Sequence, residues 1–256
     1  MQLQGILNAS EVKSAICRGR IIKKCSGIFL LLFLSFYLGG CASISHWFKK
    51  QSAPPTANLL YQKAMGYFSH GRYVLAQDLF KQIQDQFPFS PYATLASLYY
   101  ADCKFYDGDY EEAIPLYEEF IRLHPANQFV PYALFQEGSC YFNLMCSPDR
   151  DQTNTHKTIE IYERLLNQFP NTPYKKEVIR RISIARERLA EHELVVANWY
   201  YRTNQLPQAI YRCKYLMTHY PNTPAVKKAK VLLKKVAKRQ TFLKKHKWYW
   251  WYNLFN

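Results

Sequence analysis

The sequence is poor in residues that interrupt helices. It contains nine glycines among 256 residues, and four of them follow a proline-containing linker at residues 51–55. No long stretch alternates apolar and polar residues in the way that a half-buried strand does. The chain is therefore predicted to be all-α.

Motifs that carry common chemistries are also missing. The sequence has no glycine-rich phosphate loop, no Gly-x-Ser-x-Gly and no Cys-x-x-Cys. Its seven histidines are scattered without the spacing of metal ligands. These absences disfavour an enzyme, including a hydrolase carried on helical repeats. We expect no catalytic residue, no cofactor and no metal site.

Long hydrophobic runs are scarce as well. Residues 27–38 form an apolar run that is shorter than the roughly 20 residues a membrane-spanning helix needs. Basic residues precede it, and the tetrapeptide LGGC at residues 38–41 follows it, as in a cleaved secretory signal. The pattern predicts a lipoprotein signal peptide at residues 1–40 and a lipidated linker at residues 41–57 that begins at Cys41. A membrane anchor that keeps the run is the alternative.

Acylation of Cys41 would tether the mature chain to a membrane outside the cytoplasm, because more than one buried fatty chain makes the attachment lasting. Ala42 follows the cysteine, where an aspartate in similar bacterial lipoproteins often directs retention in the inner membrane. The sequence therefore favours the periplasmic face of the outer membrane.

Positive charge is concentrated at the end of the chain. The net charge is +15, and no acidic residue follows Pro221. Export removes the protein from nucleic acid, so acidic lipid headgroups or an acidic protein are the expected partners of this charge. In the tail at residues 241–256, lysines precede five consecutive aromatic residues, which are typical of a bilayer interface or a protein contact.

Helix-ending pairs recur along the chain. An aromatic residue or histidine precedes proline at residues 87–88, 124–125, 169–170 and 220–221, with spacings of 37, 45 and 51 residues. These spacings are somewhat above the period of about 34 residues of tetratricopeptide repeats. We predict a tetratricopeptide solenoid of about five helix pairs, with an insertion near residues 147–154 and a long helix covering residues 177–199. In the first unit, Ala64 and Ala76 occupy the small positions of the repeat, and Tyr67 and Phe80 occupy the aromatic positions. Gly71 occupies the turn between the two helices.

Four cysteines remain in the repeat region. Cys103 and Cys140 occupy the same place in the first helices of adjacent repeats, which stack about 10 Å apart. A disulfide requires Cα atoms within about 7 Å. We therefore expect Cys103, Cys140, Cys146 and Cys213 to be free and mostly buried.

The first helices of such repeats line a concave surface that binds ligands. In this register, the surface would present a ladder of large apolar side chains able to hold an extended peptide. An alternative is that half of them belong to the core. The predicted groove residues are Tyr61, Met65, Phe68, Leu98, Phe105, Tyr106, Phe135 and Phe142.

The combination of these features resembles the BamD family, the lipoproteins of the outer-membrane β-barrel assembly machinery. The residues that carry the resemblance are the LGGC tetrapeptide, the motif Tyr61-x-x-Ala64, the junction QFPFSPYA at residues 86–93, the loop at residues 147–151, the junction FPNTPY at residues 169–174, and the run from Arg186 to Tyr200. The resemblance covers nearly all of residues 38–240, and no family counterpart is placed for residues 241–256.

The resemblance implies a non-enzymatic protein that receives unfolded barrel proteins in the periplasm. The N-terminal repeats at residues 58–170 would recognise substrate, and the C-terminal repeats at residues 171–240 would dock on a BamA-like barrel partner beside other assembly lipoproteins. Arg212 matches an arginine in the partner-facing half and is the candidate docking residue. The alternative is a periplasmic scaffold of the Tol-Pal-associated type, although that family has an N-terminal coiled coil where this chain has a lipidation motif.

Overall fold

Consecutive α-helices fill residues 55–254, the part of the chain that the computed structural model describes, with side chains described to residue 245. This part contains nine helices and no strand, which confirms the predicted all-α class. The signal segment and Cys41 lie outside the described residues. The helices are α1 (Ala57–Ser69), α2 (Tyr73–Gln86), α3 (Ala93–Asp107), α4 (Tyr110–Leu123), α5 (Val130–Asn143), α6 (Thr153–Gln168), α7 (Lys175–Arg202), α8 (Leu206–His219) and α9 (Ala225–Leu254).

The helices contact one another in chain order, so that α1 to α8 form four antiparallel pairs of tetratricopeptide type and α9 packs on the last pair. In three of the pairs, the tight turn between the two helices contains a residue in the left-handed backbone conformation. These residues are Gly71 with φ +71°, Gly108 with φ +91° and Asn204 with φ +61°. Glycine and asparagine are suited to these turns because they tolerate positive φ at low cost.

Small and bulky side chains pack against each other between the helices of a pair. Ala64, Ala76 and Phe80 are all fully buried in the first pair, as the repeat pattern predicts. In the third pair, Gly138 and Tyr162 are so close that a Cβ at position 138 would collide with the tyrosine ring. Cys213 fills the bulky position of the fourth pair and is fully buried.

The cysteines follow the same register. Cys103, Cys140 and Cys213 are buried and Cys146 is half-buried, and all four are free thiols. Burial raises the pKa of the Cys103 thiol and of the Cys140 thiol to about 12. These thiols therefore serve the core and stay protonated at neutral pH.

The two long repeat spacings have separate causes. The third pair has a loop at residues 144–152 in place of a tight turn, and α7 holds this loop. Arg188 donates a hydrogen bond to the carbonyl oxygen of Cys146 at 2.7 Å, and the His192 ring lies 2.7 Å from the carbonyl oxygen of Pro148. The last spacing, of 51 residues, is long because α7 runs from Lys175 to Arg202, slightly beyond the predicted span of 177–199.

The last helix, as far as its side chains are described, buries one side. Ala225, Ala229, Leu232 and Val236 are buried in the cluster formed with α7 and α8. Arg239 anchors the helix further along, because its guanidinium donates to the carbonyl oxygen of Tyr201 at 3.2 Å and lies over that ring. The helix then continues to Leu254, so that most of the predicted tail is a helical extension of α9.

Candidate functional site

The aromatic residues predicted for the groove in the first two pairs belong to one group of touching rings. Phe68 contacts Tyr99 at a centroid distance of 5.4 Å and Tyr106 at 5.7 Å, in edge-to-face geometry. Phe105 contacts Tyr106 at 5.3 Å. The structure therefore brings Phe68, Phe105 and Tyr106 together, with Tyr61 joined to the group through Tyr99 at 6.2 Å. We call this group the N-terminal aromatic cluster.

Exposure differs among these side chains. Tyr106 is 47% exposed, whereas Tyr61, Met65, Phe68 and Phe105 are half-buried. The half-buried rings thus provide both core contacts and accessible edges. Such edge-to-face rings hold a fixed geometry because their quadrupoles attract one another.

Two further predicted groove residues, Phe135 and Phe142, lie on α5. The Arg181 guanidinium of α7 lies 5.1 Å from the ring centroids of both Phe135 and Phe142. Phe135 also stacks on Tyr174 with a centroid distance of 4.5 Å. These two phenylalanines are therefore fixed by the helix that follows the third pair.

A cleft of about 310 Å³ runs among α3, the start of α5 and the segment before α7. Leu98 lines it, yet is only 3% exposed, so this predicted groove residue belongs to both the core and the cleft wall. Apolar and aromatic walls with few polar groups are typical of a binding pocket. The lining residues are Leu95, Leu98, Tyr99, Asp102, Phe129, Tyr132 and Tyr174.

A buried carboxylate lies beside this cleft. The Asp102 Oδ1 atom accepts hydrogen bonds from the Tyr117 hydroxyl at 2.5 Å and from the Tyr132 hydroxyl at 3.0 Å. Gln136 in turn donates to the Tyr132 hydroxyl at 3.1 Å. Burial raises the pKa of Asp102 to about 6, although the two tyrosine hydrogen bonds act in the opposite direction. This network links α3, α4 and α5 and fixes the tyrosine that lines the cleft.

Sequence reasoning missed Asp102, Tyr132, Tyr174 and Arg181. One signal was available: Asp102 stands one helical turn after Leu98, between Ala101 and Cys103, so a carboxyl interrupts an apolar face. Arg181 carried no such signal, because its position four residues after Glu177 is also typical of a solvent-exposed helical ion pair.

The candidate docking residue lies in another part of the molecule. Arg212 on α8 is 36% exposed, and its guanidinium contacts the Glu193 carboxylate of α7 at 3.0 and 3.2 Å. Its guanidinium is thus oriented by an ion pair within the same repeat, separate from the aromatic surfaces.

Within the described residues, no group of three or more histidine, cysteine, aspartate or glutamate side chains is arranged to hold a metal ion. Among the helices of that same part, none has both the length and the apolar character needed to cross a membrane.

The paired helices and their repeat register define a solenoid of tetratricopeptide type. The family model described as YfiO, an outer membrane lipoprotein, matches residues 54–248. The chain belongs to this family, also known as BamD. The match extends beyond residue 240, so the expectation that the tail lacks a family counterpart is wrong for residues 241–248.

Curated relatives are named outer membrane protein assembly factor BamD. The Rickettsia prowazekii protein is 29% identical over 195 residues, covering 75% of this chain and 76% of that protein. The Vibrio cholerae protein is 26% identical over 207 residues, covering 75% and 86%. The Caulobacter vibrioides protein is 27% identical over 165 residues, which span 64% of this chain and 54% of that relative.

Among solved structures, the TPR2AB-domain:pHSP90-complex of yeast Sti1 is similar with a TM-score of 0.42 and 14% identity. The similarity covers 64% of each chain.

Proposed function

We propose that this protein is a lipid-anchored component of the outer-membrane β-barrel assembly machinery, held at the periplasmic face by Cys41. Family membership supports this role, because the curated relatives are named as outer membrane protein assembly factors. Its work is to bind proteins, and no catalysis is assigned to it. The aromatic surface of the first three helix pairs is the observation that carries the proposal.

In this proposal, the repeats at residues 58–170 bind unfolded barrel proteins. The N-terminal aromatic cluster and the cleft beside Asp102 provide apolar pockets along consecutive first helices, and the aromatic side chains of an extended strand would fill them. The repeats at residues 171–240, with Arg212, dock on the periplasmic part of a BamA-like barrel protein, next to other assembly lipoproteins. The linker at residues 41–57 joins the anchor to the repeats.

A crosslinking experiment tests the substrate site. A photoreactive residue is placed at Tyr106 or Phe142, and a peptide copying an aromatic-ended C-terminal strand of a barrel protein is added. We expect crosslinks at both positions, because both side chains belong to the predicted ladder. The control position is Tyr211 on α8, which is 64% exposed but distant in sequence from the groove. Crosslinking of Tyr211 as efficient as that of Tyr106 would refute the groove.

A second experiment tests the anchor. Cys41→Ser removes the thiol that would carry lipid, so the variant is expected to leave the membrane fraction when its assembly partners are depleted. Partner depletion matters because a docked protein sediments with its partner. Persistence of the variant in the outer-membrane fraction under those conditions would show that Cys41 is not the anchor.

A further inference from the structure

The exposed side of α9 carries positive charge without any compensating negative charge. Among the side chains described on this helix, to residue 245, eight lysines are exposed, and no acidic residue follows Pro221 in the sequence. Among the described side chains, every ion pair lies earlier in the chain, up to Arg212 with Glu193. The eight are Lys227, Lys228, Lys230, Lys234, Lys235, Lys238, Lys244 and Lys245.

The lysines are arranged on the side of α9 that faces away from the core. Lys227, Lys234 and Lys238 are separated by seven and four residues, so they form one line along the helix. That line lies opposite the stripe of buried residues from Ala225 to Val236. Exposed apolar side chains are interspersed with it, since Val231 is 54% and Phe242 57% exposed. A helix with lysines and apolar groups on one accessible side is suited to a charged interface.

We propose that the exposed side of α9, from Lys227 to Lys245, binds the surface of an anionic lipid bilayer. The contact is a second membrane attachment in addition to the lipid on Cys41, and it does not depend on the proposed substrate groove.

The type of basic residue favours lipid over protein as the occupant. Lysine is a hydrated point charge that is depleted in protein interfaces, whereas the planar guanidinium of arginine is enriched there. The arginine of α9, Arg239, is already engaged with the Tyr201 carbonyl and ring. Flexible lysines instead match mobile phosphate headgroups, which attract each basic residue near the surface.

Vesicle binding tests this proposal directly. The protein is prepared from residue 42 onward, so that neither the signal nor the lipidated cysteine contributes; the helices from Thr56 on form their own unit and are all retained. The vesicles contain phosphatidylethanolamine with phosphatidylglycerol, or phosphatidylethanolamine with phosphatidylcholine as the uncharged reference. We expect cosedimentation with the anionic vesicles, weakening as salt increases.

A pair of charge-matched variants locates the contact. The test variant combines Lys227→Gln, Lys234→Gln and Lys238→Gln, which keep good helix formers at exposed positions. Its affinity for anionic vesicles should fall by about 100-fold, since each lysine near the surface contributes roughly five-fold. The control combines Lys81→Gln, Lys175→Gln and Lys176→Gln, which remove the same charge from exposed positions on other helices. The control should bind within about two-fold of the parent.

The outcomes separate the lipid contact from its alternatives. Equal losses in both variants would show that net charge alone attracts the vesicles and would overturn the proposal. Failure of the parent to bind anionic vesicles would also overturn the proposal. An acidic protein surface would then be the alternative partner of these lysines. Val231→Asn should weaken binding about equally at low and high salt, because it removes only an apolar contact.

Discussion

Replacing Arg181 with methionine is expected to lower the free energy of unfolding by about 3 kcal/mol, because hydrogen bonds from a charged group contribute about 1.5–3 kcal/mol each. The Arg181 guanidinium donates to the Ser139 hydroxyl at 2.7 Å and to the Tyr162 hydroxyl at 2.8 Å. Its Nε atom also donates to the Glu177 carboxylate at 2.7 Å. Methionine keeps the apolar stem but removes the charged donor from both hydroxyls. They then keep neutral hydrogen bonds, to each other at 3.2 Å and from Ser139 to the Phe135 carbonyl oxygen at 2.7 Å.

The neighbouring arginine provides a matched control. Arg180 contacts the same Glu177 carboxylate at 2.6 and 2.8 Å, but its side chain is 58% exposed. Arg180→Met should therefore cost less than about 1 kcal/mol, as exposed ion pairs usually do. Urea unfolding followed by circular dichroism measures both variants. Equal losses would mean that the bonds of Arg181 to α5 and α6 contribute nothing beyond the ion pair.

A lysine substitution separates charge from geometry at this position. Arg181→Lys retains the positive charge but cannot reach two hydroxyls and a carboxylate with one planar group. It should recover only part of the stability lost in the methionine variant. Full recovery would show that charge alone matters.

The helices were predictable because their determinants are local and periodic. Ala64, Ala76 and Phe80 recur at fixed spacings, and all three are fully buried. Gly71 and Gly108 mark tight turns that require positive φ. The long helix α7 was also predictable, since no residue between 174 and 201 breaks a helix.

The candidate site was predicted less completely because its contacts join distant residues. Asp102 pairs with Tyr132, thirty positions later, and Arg181 pairs with Ser139, forty-two positions earlier. Such pairs depend on how successive repeats stack, which no local pattern encodes. Leu98 shows a second difficulty: adjacent helical positions differ by about 100°, so a residue between the core and groove sides cannot be assigned to one of them from spacing alone.

Glu137 should make the stability of this protein fall as the pH increases from 5 to 8. This α5 side chain is 1% exposed, and its Oε2 atom has no hydrogen-bond partner. Burial is the main reason that the pKa of Glu137 is raised from 4.5 to about 7, and the nearby Glu118 raises it further. Lys157 and Arg164 on α6 act in the opposite direction, while Glu160 on that helix adds to the increase.

The direction of this pH dependence of stability follows from proton linkage. The folded state holds the Glu137 proton more tightly than the unfolded state does, so its contribution to stability is complete below pH 4.5 and is lost as the pH rises through 7. Asp102 acts in the same direction, because burial also raises its pKa, to about 6. Only a comparison between variants therefore isolates the contribution of Glu137.

Glu137→Gln removes this titration while keeping the shape of the side chain. Between pH 5 and pH 8, the unfolding free energy of the variant should improve relative to the parent by about 2–3 kcal/mol, since one pKa unit corresponds to about 1.4 kcal/mol. Glu111→Gln, an exposed substitution on α4, should follow the parent throughout. Urea unfolding across this pH range measures the difference. The protonated carboxyl band in infrared spectra at pH 6 should be weaker in the Glu137 variant than in the parent, because the variant keeps the contribution of Asp102. If the Glu137→Gln and parent curves are parallel from pH 5 to pH 8, Glu137 is ionised throughout and its burial does not control its proton.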